Sequence, residues 1–137
     1  MWQVYALLAA VFAALTAIFS KLGVRDVDSG LATAIRVGFI LLLTWGMSLY
    51  AGTWREVRQI GGHTWLFLFL SAVATGLSWL CYFKALQLGD VSKVAPLDKL
   101  SVPLAMLLGG LILGEPCDPK TVAGGILITA GALLLVL

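Results

Sequence analysis

No charged residue precedes Lys21. An uncharged apolar run of this kind is too long for a buried strand, and it is apolar on every face. It matches the ~20 residues, at ~1.5 Å each, that a helix needs to cross the hydrocarbon of a bilayer. The pattern recurs along the chain and gives five segments, at about 2–22, 30–50, 64–88, 91–113 and 119–137. Short connections at 21–29, 52–63, 89–90 and 114–118 make sequential segments antiparallel neighbours. Backbone polar groups in lipid must be paired within their own segment, so the runs are helices. Strands of a membrane barrel would alternate apolar and polar over ~10 residues, and these do not. The expected fold is an all-α integral membrane protein with five transmembrane helices in a single domain, 1–137. With 61% hydrophobic and 12% charged residues, against roughly 45–50% and 25% in soluble domains, the chain is neither disordered nor an ordinary globular enzyme.

Local signals set the boundaries. The first run is longer than a signal-peptide core and has no basic residue before it, so it is read as a span. Asp28 or Ser29 can cap the second segment and Gly52 can end it. Asp118 is the natural N-cap of the fifth, with Pro119 in its first turn. Cys81 and Cys117 lack metal-like spacing and are expected to be free thiols. His63, beside Gly61 and Gly62, reads as a loop residue. No phosphate-binding loop, zinc motif or nucleophile elbow occurs, so the chain is not read as an enzyme, and no cofactor or metal is expected.

Five spans put the termini on opposite sides. The side of Met1 holds Arg55, Arg58 and Lys120; the other holds Lys21, Arg25, Lys84 and Lys93. The positive-inside rule barely discriminates between three and four basic residues. Two readings stand: one orientation set by other features, or dual topology, with copies inserting both ways. Trp2, Tyr5, Tyr50, Trp54 and Trp65 fall near the Met1 side, as interfacial aromatics do. The stretch 53–60 is either a solvated loop or lies flat in that interface, with Trp54, Val57 and Ile60 toward lipid.

Ionisable residues inside a span are costly and are usually functional or paired. Arg36 is predicted about 9 Å deep, Lys84 about 8 Å, and Asp98 and Lys99 about 13–14 Å, all from the side opposite Met1. Lys84 sits off the polar face of its helix and reads as a snorkelling lysine. Asp98, Ser101, Ala105 and Gly109 of the fourth segment share one face, at spacings of three and four. Ser71, Thr75, Ser78 and Tyr82, with Trp79 beside them, share one face of the third. The candidate substrate and coupling residues are therefore Asp98, Arg36, Lys99, Ser101, Trp79 and Tyr82. Asp98 has three open roles: salt-bridge partner of Arg36 or Lys99, proton carrier, or substrate ligand. Pro96 and Pro103 each remove a backbone donor and free a carbonyl, marking a kink or hinge in the fourth segment. Gly110 with Gly114, Gly124 with Gly131, Gly125 with Ala132, and the row Ala6, Ala10, Ala13, Ala17 read as close-packing faces. The fifth helix is a candidate for part of a dimer contact.

The run Tyr82-Phe83-Lys84-Ala85-Leu86-Gln87-Leu88-Gly89, then Val94-Ala95-Pro96-Leu97-Asp98-Lys99-Leu100-Ser101-Val102, then Leu113-Gly114-Glu115, resembles the EamA repeat of the drug/metabolite transporter superfamily. Phe19-Ser20-Lys21-Leu22-Gly23 and Arg36 resemble it too, so the similarity covers essentially the whole chain. Typical members carry two such repeats in inverted orientation. The resemblance of a single-repeat, five-helix chain implies an antiparallel pair with a second copy of itself. It implies a secondary transporter that moves a small metabolite or drug-like molecule by alternating access. Asp98 would couple protons or hold substrate, Arg36 would position it, and Pro96 would permit the hinge. The distant four-helix multidrug exporters use an acid in the first helix, which is missing here. Arg36, Lys84 and Lys99 outnumber Asp98, which favours a small-molecule substrate with an anionic group. The alternative is a non-transporting membrane accessory or assembly subunit. The partners expected are the lipid bilayer, a second copy and the substrate, with no nucleic acid. The expected location is a bacterial or archaeal plasma (inner) membrane, crossed several times.

Overall fold

A computed structural model describes Met1–Leu137. Its elements are α1 (Trp2–Gly23), α2 (Ser29–Ala51), a 3-10 helix (Thr53–Gln59), α3 (Gly62–Leu88), α4 (Val91–Asp98), α5 (Ser101–Leu108), a π-helical turn (Gly109–Leu113) and α6 (Pro119–Val136). Counting α4 to the π turn as one stretch, five helical segments are long and apolar enough to cross a membrane. The chain is an all-helical, multi-pass membrane protein.

The helix ends follow the local chemistry. The Asp28 side chain accepts from the Leu31 N–H at 3.0 Å and caps α2, so Asp28 rather than Ser29 is the cap. Asp118 accepts from the Thr121 N–H at 2.9 Å and from its hydroxyl, capping α6. Gly52 closes α2 at φ 76°, a conformation that costs glycine nothing for want of a Cβ. His63 is not a loop residue: α3 starts at Gly62, and the imidazole lies 4.7 Å from the Phe67 ring.

The chain forms two compact units, Phe19–Gln87 and Met1–Ile18 with Leu88–Leu137. In the first, Val24, Phe83 and Leu86 are the buried apolar residues, with Ser20 and Thr33 as buried polar ones. The Thr33 hydroxyl is satisfied by the Ser29 carbonyl at 2.7 Å, one turn back. In the second, α4 and α5 pack on α6, and Gly125 lies against Pro103 and Met106. Most other large apolar side chains are exposed. That suits helices whose outer faces meet lipid, where association rests on close packing and hydrogen bonds instead of burial from water.

Candidate functional site

In the unit Phe19–Gln87, α2 and α3 bring Arg36 and Trp79 together. The guanidinium carbon lies 4.3 Å from the Trp79 ring centroid and 5.3 Å from that of Phe83. Trp79 and Phe83 are four residues apart on α3 and so share one side of it. Both distances are within the ~6 Å over which a cation is drawn to a ring face. Arg36, Trp79 and Tyr82 are half-buried, and Phe83 is 2% exposed. The Tyr82 ring centroid is 6.5 Å from that of Phe83. A guanidinium carries five N–H donors, the groups that recognise a carboxylate or phosphate. Lys84 is exposed on the same helix.

Phe83 was not among the residues singled out from sequence, nor were Lys21 and Gln87. The Lys21 ammonium donates to the Leu86 carbonyl at 2.5 Å. The Gln87 amide donates to the carbonyls of Val24 at 2.9 Å and Val27 at 2.6 Å. These bonds tie the end of α3 to the end of α1 and to the loop before α2. A signal was present: Phe83, Leu86, Gln87 and Lys21 all lie in the motifs that carry the EamA resemblance.

In the unit Met1–Ile18 with Leu88–Leu137, the fourth segment breaks between its two prolines. Pro103 has no N–H for the Lys99 carbonyl, and its ring crowds that carbonyl. The backbone tightens in response. The Val102 N–H takes the Lys99 carbonyl at 2.9 Å, and the N–H groups of Lys99 and Leu100 bond Pro96 and Leu97 at 3.0 and 3.1 Å. Pro96 stays inside α4. The break falls at Lys99–Leu100, directly after Asp98. Asp98 and Lys99 pair at 3.3 Å, with their side chains 36% and 54% exposed respectively.

The break separates Asp98 from the other members of the expected stripe, because helical phase does not carry through it. Ser101, Ala105 and Gly109 lie together beyond it; Ser101 and Ala105 are exposed and Gly109 is buried. The glycine readings divide as well. Gly114 is a turn residue at φ 67° with open space around it within the chain. Gly110 makes room for the Cys117 sulfur, which would lie 2.8 Å from an added Cβ. Gly125 does pack, on α5, while Gly124 and Gly131 have nothing within 4 Å. In the alanine row only Ala17 is buried. A groove of about 490 Å³ between α5 and α6 is lined by Pro103, Met106, Thr121, Gly125, Thr129 and neighbouring apolar residues. Both cysteines are free.

The comparisons with known proteins agree with one another in kind. The model of the EamA-like transporter family matches residues 1–137. An uncharacterised transporter encoded in the cobO 3′ region of a Sinorhizobium species is 51% identical over 134 residues, covering 98% of this chain and 95% of that one. The probable 4-amino-4-deoxy-L-arabinose-phosphoundecaprenol flippase subunit ArnE of Pseudomonas aeruginosa strain UCBPP-PA14 is 36% identical over 66 residues, 48% of this chain and 57% of that one. The corresponding subunit of Pseudomonas paraeruginosa is 35% identical over the same length. No solved structure matches the chain.

Proposed function

We propose that this chain, which belongs to the EamA-like transporter family, moves a small solute bearing an anionic group across the inner membrane by alternating access, as an antiparallel pair of copies. The observation that carries this reading is Arg36 of α2 held 4.3 Å from the Trp79 ring centroid and 5.3 Å from that of Phe83. The two rings lie near the charge without neutralising it, which suits a guanidinium that takes a carboxylate or phosphate. The broken fourth segment supplies the moving part. Helices interrupted by proline at membrane depth recur where transporters bind and rock. Here the interruption carries Asp98 and Lys99, an exposed pair that can open at little cost. Asp98 is the proton-coupling residue in this reading, and Pro96 and Pro103 set the hinge.

The flippase subunits named above handle a phosphate-bearing lipid, a substrate with an anionic group of the same kind. Their being subunits supports a second reading, in which the chain works only with a different partner chain.

The experiment is uptake into proteoliposomes holding the purified chain alone, with carboxylate- and phosphate-bearing metabolites against a lipophilic cation. Anion transport by wild type, lost in Arg36→Gln and retained in part by Arg36→Lys, supports the proposal. Transport of the cation alone overturns it. No transport without a second, homologous chain decides for the subunit reading. Asp98→Asn, with insertion intact, should abolish the dependence of uptake on a proton gradient; unchanged coupling removes Asp98 from the mechanism.

A further inference from the structure

A second cluster of arginine and tryptophan lies at the far end of α2, in a segment the transport reading leaves unused. The 3-10 helix Thr53–Gln59 has three residues per turn, so residues three apart line up. That register puts Arg55 and Arg58 along one edge and Trp54 and Val57 along the next. Together with Trp45 of α2 they line a hollow of about 500 Å³, within the ~300–1,000 Å³ usual for small-ligand sites. The Arg55 guanidinium carbon is 5.8 Å from the Trp54 ring centroid. The 3-10 helix is fixed to α2 by the left-handed Gly52 and by a 2.9 Å contact between the Ser48 and Thr53 hydroxyls. Its two basic side chains are therefore presented on a held segment. Glu56 is the one acidic residue on it, and it is not part of the lining.

We propose that this hollow is a binding site for the phosphate-bearing headgroup of an anionic phospholipid. Arg55 and Arg58 grip the phosphate, and Trp45 and Trp54 lie along the glycerol and upper acyl chain. The segment joins two membrane-spanning helices, so it lies at headgroup level, where amphipathic rings and arginines partition. Two arginines in one lining favour a phosphate whose headgroup carries no compensating cation. An aromatic-lined hollow beside them favours a phosphate with a hydrocarbon tail over a free anion.

The test uses the full chain in nanodiscs and in detergent. Native mass spectrometry with equal phosphatidylglycerol and phosphatidylcholine should retain the anionic lipid preferentially by about thirtyfold, two arginines near an anionic surface contributing roughly fivefold each. Arg55→Gln/Arg58→Gln should bring that ratio near unity. Brominated phosphatidylglycerol should quench tryptophan fluorescence more in wild type than in Trp45→Phe/Trp54→Phe. If the double arginine variant fails to insert, the single variants Arg55→Gln and Arg58→Gln replace it, each expected to lower the ratio by about fivefold. Inorganic phosphate at millimolar concentration should not displace the lipid. Full displacement by phosphate, or equal retention of the two lipids by wild type, overturns the proposal.

Discussion

Arg36 is a charged group that α2 holds against two rings of α3. A guanidinium at span depth loses hydration, and the Trp79 and Phe83 faces return part of that loss. Cation–ring pairs are worth about 0.5–1 kcal/mol when exposed and about 2 kcal/mol when desolvated. A double-mutant cycle on Arg36→Gln and Trp79→Leu should give a coupling of about 1–2 kcal/mol in bicelle unfolding. A coupling near zero would mean that the stacking is incidental. Gln87 is the other residue whose removal should be felt, because one amide serves the carbonyls of both Val24 and Val27. Gln87→Met keeps the volume but strands both acceptors, and should cost about 1–3 kcal/mol. Sequence reading found Arg36 as a charge inside a span and Trp79 by its place beside the face of Ser71, Thr75, Ser78 and Tyr82. It did not single out Phe83 and Gln87: the motif contains both, but neither residue type by itself marks which one packs. Only the contact across two helices does.

Among the elements, the spans were legible and their interruptions only partly so. Apolar length fixes a membrane helix, and the caps Asp28, Gly52 and Asp118 follow from single-residue chemistry. The fourth segment shows the limit. Two prolines announce a defect, but its place depends on which freed carbonyl the backbone can re-pair, and Lys99 is the one that re-pairs with Val102. Spacing of three and four then loses its meaning across the break, which parts Asp98 from Ser101, Ala105 and Gly109. Pro103→Ala restores an N–H for the Lys99 carbonyl and should extend helix through Leu100. Amide exchange at Lys99 and Leu100 should slow by about tenfold or more, with transport impaired, consistent with local opening free energies that track backbone bonding. Asp118 gives a pH-dependent counterpart in α6. Hydrogen bonds from the Thr121 hydroxyl and then its backbone N–H hold the carboxyl below its ordinary value. A depressed folded value means the stabilisation is present above about pH 4 and is lost as pH falls through the lower folded value. The stability gap between wild type and Asp118→Ala should therefore close in acid. Asp118→Asn, a comparable cap, should show no such pH dependence.

For the whole molecule, the open question is how many ways it inserts. Apolar exposure makes the bilayer its solvent but says nothing of direction, and the basic residues nearly balance. The structure changes their weights. The Lys21 ammonium is bound to the Leu86 carbonyl at a half-buried position, so it contributes less as a free loop charge than its place in the sequence implies. Arg25, exposed in the same connection, then carries most of that loop's positive charge. On the Met1 side Arg55, Arg58 and Lys120 are all exposed. Each basic residue near a span end biases orientation, and with totals this close one substitution should be decisive. Under the proposed antiparallel pairing, paired reporters fused after Leu137 should read from both compartments in wild type. Arg25→Gln should shift the population toward the Met1 side in the cytoplasm, and Arg55→Gln/Arg58→Gln should shift it the other way. Both variants should lose transport, because each depletes one half of the pair, and co-expressing the two should restore it. A wild-type signal from a single compartment, unmoved by either variant, would leave the antiparallel pair without a second orientation to draw on. The transporter would then need a separate homologous chain for its other half.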